Sequence, residues 1–104
     1  MPTLHYAPAA ARTLTRLERG RRADPARLRR VRHALERLAA DPRHPGLCSH
    51  PYPGLPGHGG RRAWTSYVDQ GAGAWRLWWS WEPAASDHGQ EHAVLTVLAI
   101  GPHL

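Results

Sequence analysis

Apolar residues recur at two different spacings along this chain, and the change of spacing divides it. Ala10, Leu14 and Leu17 stand three and four apart, then Leu28, Val31, Leu35 and Leu38 do the same. Each set makes one stripe on a helix. Pro8 suits the first turn of the first helix and Gly20 its stop. Asp24 is a good N-cap for the second, Pro25 takes its first position, and Asp41-Pro42 ends it. The connection from Gly20 to Asp24 is short, which predicts an antiparallel helix hairpin.

Beyond residue 60 the pattern changes to strands rich in aromatic and β-branched residues. Ala63 to Asp69, Ala74 to Glu82 and His92 to Gly101 are predicted strands. The turn Gln70-Gly71-Ala72-Gly73 and the polar connection Pro83 to Glu91 separate them. Thr3 to Tyr6 is a further short strand. Residues 42 to 60 hold five prolines, five glycines and three histidines and read as a long loop, a feature usually functional or disordered. The order is short strand, helix hairpin, three-stranded antiparallel meander. Because strands and helices do not alternate, the fold class is α+β, with the helices on one sheet face.

The strand Ala74 to Glu82 shows how the sheet is used. Trp75, Leu77, Trp79 and Trp81 alternate onto one face, expected under the helices, and Trp64 is expected in or near the same core. Ala74, Arg76, Trp78, Ser80 and Glu82 take the other. Arg76 therefore stands mid-strand on a face without helices and needs a partner: solvent, Glu82 or a ligand.

Length and composition bound the rest. With 104 residues, 41% of them hydrophobic, the chain is expected to be one domain with a packed core. All fourteen cations are arginine, which with the abundance of Ala, Gly and Pro matches a high-GC bacterial genome. Ten of these arginines lie between Arg12 and Arg37 against Glu18, Asp24 and Glu36, whereas the remainder of the chain is one negative overall. Such a basic stripe suits a polyanion, most commonly nucleic acid, although a solvated helix face has the same look. Cys48 is the only cysteine, so no internal disulfide forms, which fits a reducing cytoplasm. The N-terminus lacks the pattern of a signal peptide, and no apolar run is long enough to span a membrane.

Three segments resemble the RelE/ParE toxin superfamily. Arg27 to Tyr52 ("RLRRVRHALERLAADPRHPGLCSHPY") is similar to its second helix and following loop. Ala74 to Trp81 ("AWRLWWSW") is similar to a strand with a Tyr-Arg-hydrophobic pattern, Trp75 replacing the tyrosine. Val94 to Leu104 ("VLTVLAIGPHL") is similar to its last strand and tail. The resemblance implies a microbial-ribonuclease-like fold and a cytoplasmic toxin neutralised by an antitoxin protein. Many members cleave mRNA on the ribosome without metal or cofactor, leaving a 2′,3′-cyclic phosphate. ParE-like members instead poison gyrase and lack the cleavage residues, so membership alone does not settle the function.

Metal-free RNA cleavage needs a base for the 2′-hydroxyl, a cation for the phosphorane and an acid for the leaving 5′-oxygen. Arg76, at the position of the family's strand arginine, is the candidate phosphate clamp; a structural ion pair is the alternative. His103 is the candidate acid, or else a tail residue. His50 is the best candidate base. His44 is a second, or a loop-structure residue, and His58 lies among glycines. Arg61 and Arg62 are candidate phosphate contacts, or a charged strand edge that resists aggregation. Trp78 and Tyr52 are candidate stacking partners for a base, or packing aromatics. Arg29 and Arg30 belong to the helix hairpin expected against ribosomal RNA. The absence of lysine leaves a histidine-type site or an inactive one.

Other chemistries fit less well. His44, Cys48, His50 and His58 match no common zinc spacing. No oriented base accompanies Cys48 as a nucleophile. "GHGGR" lacks the ending of a phosphate-binding loop. Two competing functions stay open: a non-cleaving toxin or regulator with a protein target such as gyrase, and a member repurposed for small-molecule chemistry in a pocket of the loop and open sheet face.

Overall fold

The computed structural model describes residues 3–70, 73–82 and 94–102. Its strands are β1 (Thr3–Tyr6), β2 (His50–Pro51), β3 (Ala63–Tyr67), β4 (Trp75–Glu82) and β5 (Val94–Pro102); its helices are α1 (Pro8–Glu18) and α2 (Pro25–Ala40). Pro8 and Pro25 open the two helices, as their fixed φ favours. On α1, Ala10, Thr13 and Leu17 are buried. Thr13 is accommodated among them because its hydroxyl donates to the Ala9 carbonyl at 3.1 Å. Gly20 has a φ of +94°, which turns the chain out of α1. The Asp24 amide then donates back to Leu17 O at 2.9 Å.

Asp24 caps α2 as the sequence predicts: its carboxylate accepts the Arg27 amide at 3.1 Å. Asp24→Ala is expected to cost about 1 kcal/mol, read as a lower midpoint of thermal unfolding. A midpoint equal to wild type would show that α2 is held by packing alone. Leu28, Val31, Ala34, Leu35 and Leu38 are the buried stripe of α2, and both helices bury their apolar faces against one sheet face.

The five strands lie in the order β1-β5-β4-β3-β2. β3, β4 and β5 form the predicted antiparallel meander. β1 pairs parallel with β5, so the sheet is mixed. Leu77 and Trp79 of β4 and Leu95, Val97 and Ile100 of β5 meet the helices in the core. Between Val97 and Ala99 the ladder slips: they pair with the adjacent Trp79 and Trp78, leaving Leu98 as an extra residue. This bulge lets Val97 and Ile100, three positions apart, both point into the core.

Three expectations need correction. Residues 42–60 are not one long loop. Two short 3-10 turns (Pro45–Leu47 and His58–Gly60) and β2 interrupt them, and Leu47 reaches the core at 1% exposed. Pro51 is tolerated because β2 is an edge strand whose outer side needs no N–H. Trp81 is exposed rather than core, whereas Trp79 is buried and Trp64 and Trp75 are half-buried against the core. Conversely, Trp78 is 3% exposed although it lies on the face opposite the helices. Among the described residues, no helix is long and apolar enough to cross a membrane.

Candidate functional site

The register of β3 against β4 sets Tyr67 opposite Arg76. Residues directly opposite in an antiparallel pair share a face. The Arg76 guanidinium accordingly lies over the Tyr67 ring, 3.7 Å from its centroid, as a cation–π pair. His50, carried by β2 opposite Thr65, meets the same phenol edge-on with centroids 6.3 Å apart. A guanidinium and an imidazole thus flank one tyrosine on the sheet face away from the helices. The His50 Nδ1 is 2.8 Å from the Cys48 carbonyl. A carbonyl only accepts, so Nδ1 carries the proton there and Nε2 keeps the lone pair of the neutral ring. Nε2 is therefore the nitrogen of His50 that could accept a proton.

The Arg76 guanidinium is partnered by the Tyr67 ring and not by Glu82. Six residues along a strand separate Arg76 from Glu82 by about 20 Å, beyond the reach of an ion pair. Glu82 instead lies 4.0 Å from Arg61. The Nε of half-buried Arg76 has no hydrogen-bond partner among the described residues, and neither has the Trp78 indole nitrogen. Trp78 packs against Tyr52 edge-on at 5.9 Å. Its rings are covered, so base stacking falls to other aromatics. Tyr67, absent from the sequence-derived candidates, is the residue that organises this site. The signal was available in principle, because the short connection between the two predicted strands limits which residue can face Arg76.

The other candidates lie elsewhere. His44 caps the Pro45–Leu47 turn, its Nδ1 accepting the Gly46 amide at 3.0 Å, which is the loop-structure role. His58 begins the His58–Gly60 turn, and its side chain lies outside the described residues, as does the whole of His103. Arg30 pairs with Asp69 at 3.3 Å and ties α2 to the end of β3, whereas Arg29 is exposed. Among the described residues, no three His, Cys, Asp or Glu side chains gather as metal ligands.

A concavity lies on the sheet face that carries the helices. Trp64 and Trp79, cross-strand neighbours, stack at 5.8 Å with planes 16° apart. Together with Trp81 they line a groove of about 1100 Å³, walled by residues 41–45, 48 and 49 and by Arg61 and Arg62. A hydrogen-bonded chain fixes one wall. The Trp79 indole N–H donates to Ser66 Oγ at 2.8 Å, and Ser49 Oγ donates to Pro42 O at 2.9 Å. Since the Ser49 proton is thereby used, Ser66 is the donor in the 2.7 Å contact between the two hydroxyls. The backbone leading into Arg61 and Arg62 is also constrained. A Cβ on Gly57 would stand 2.1 Å from the Arg61 carbonyl oxygen, so only glycine permits this close passage before Arg61 and Arg62. No protein-family model, curated protein or solved structure matches this chain.

Proposed function

We propose that the protein is a metal-independent endoribonuclease and acts as a toxin of the RelE/ParE type. The observation that carries this reading is the convergence of Arg76 and His50 on Tyr67, with the His50 Nδ1 engaged by the Cys48 carbonyl and Nε2 left to accept a proton. The element order, an N-terminal strand, a helix hairpin and an antiparallel meander, supports it, whereas the mixed sheet and its order β1-β5-β4-β3-β2 differ from the arrangement expected from the resemblance. In the reaction, His50 Nε2 removes the 2′-hydroxyl proton. O2′ then bonds to phosphorus and the bond to O5′ breaks, leaving a 2′,3′-cyclic phosphate. Arg76 neutralises the charge that builds on the non-bridging oxygens. The proton for O5′ is assigned to His103 on the resemblance alone. The exposed arginines of the hairpin, Arg29 among them, would bear on ribosomal RNA, and an antitoxin would neutralise the protein in the cytoplasm.

One observation favours a second reading. An arginine already stacked on a tyrosine is partly committed to structure, as expected of a non-cleaving member aimed at a protein such as gyrase. Inducible expression with mapping of RNA 5′ ends separates the two. New 5′ ends within mRNA are expected from the nuclease. Growth arrest with intact mRNA and a DNA-damage response would support the second reading, and normal growth with intact RNA would remove both.

A further inference from the structure

We infer that the tryptophan groove on the helix-bearing face is a nucleotide-binding site, which holds a base against Trp81 and the attached phosphate among Arg43, Arg61 and Arg62. The inference does not rest on the cleavage reading, since the groove is built on the face opposite Arg76. Its floor offers a ring surface that the fold leaves open. Trp79 is buried and stacked on Trp64, but Trp81 remains 36% exposed at the end of β4. Large exposed aromatics in a concave, preformed site are stacking platforms for planar rings.

The walls supply the charge. Three arginines line the groove against one acid, Asp41, whose carboxylate accepts the Arg43 amide at 2.9 Å. Arg61 lies 4.0 Å from Glu82, the limit of an ion pair. Among the described residues, the Arg43 and Arg62 side chains have no acidic partner, and both are exposed. Guanidinium forks grip phosphate oxygens in pairs. A planar ring joined to a phosphate satisfies floor and walls together, whereas an acidic peptide would leave the indole surface unused. The groove is also preorganised, through the Trp79–Ser66–Ser49–Pro42 chain and through the Gly57 passage that precedes Arg61 and Arg62.

Calorimetric titration of the full chain with AMP, adenosine, orthophosphate and a short single-stranded RNA tests the site. AMP is expected to bind saturably, more tightly than adenosine or orthophosphate, and to shift the Trp81 indole N–H resonance, assigned by its loss in Trp81→Leu. Trp81→Ala is expected to weaken AMP about 5- to 150-fold, the worth of one stacked base. Arg62→Ala is expected to weaken it about three- to tenfold, and Arg76→Ala to leave it unchanged. Tighter binding of the oligonucleotide than of AMP assigns the site to an RNA strand; equal affinity assigns it to free nucleotide. The inference is overturned if neither AMP nor RNA binds, if adenosine binds as well as AMP, or if folded Trp81→Ala and Arg62→Ala both bind like wild type. The indole shift of the unmutated protein decides the case if a variant misfolds. Loss of RNA cleavage in Arg76→Ala with AMP binding intact keeps the two sites distinct.

Discussion

Trp79→Ala is expected to destabilise the fold by about 3–5 kcal/mol, a large share of the roughly 5–15 kcal/mol that holds a typical domain together. Trp79 is 4% exposed, packs in the core beside Leu77 and supports the Trp64 ring from across the strand. Truncation removes a bicyclic ring from among neighbours fixed by the sheet and helices, so the cavity closes only in part. It also removes the donor at the head of the hydroxyl chain to Ser66. Trp79→Phe separates the two effects. It keeps most of the packing and loses the hydrogen bond, for an expected cost of about 1–2 kcal/mol. Urea unfolding of wild type and both variants gives the comparison. A loss under about 1 kcal/mol in Trp79→Ala would mean that the ring contributes little to the core packing.

Arg76→Ala is expected to lower RNA cleavage about 10²- to 10³-fold, the range for removing one preorganised group that stabilises transition-state charge. The expected change in stability is far smaller. The stack on Tyr67 is worth about 0.5–2 kcal/mol. The Nε has no partner among the described residues, so no hydrogen bond of that atom to them is lost. Arg76→Lys keeps the charge but not the planar fork, and it should recover only part of the rate. If the two variants instead lost activity only in proportion to the fraction unfolded, Arg76 would be a packing residue. Single-turnover cleavage measured beside thermal unfolding distinguishes these outcomes.

The helices show how much local chemistry decides. Asp24, Pro25 and the Leu28–Leu38 stripe act within a few turns of chain, and the structure follows them closely. The candidate sites are different in kind. Arg76 could be singled out because a charge on a face without helices calls for a partner. Its actual partner, Tyr67, is nine positions away across a hairpin. Arg43 and Trp81 share a groove although 38 positions separate them, and nothing near either residue announces the other.

Periodicity and punctuation, which operate over three or four residues, were thus enough to determine the helix hairpin, the meander and the α+β class. Strand register, the Leu98 bulge, the parallel docking of β1 and the capture of residues 50–51 as an edge strand came only with tertiary structure. Those choices depend on which backbone groups find partners far along the chain. They also decided that Trp78 is buried and Trp81 open, because burial depends on what other segments cover a side chain rather than on its place in its own strand.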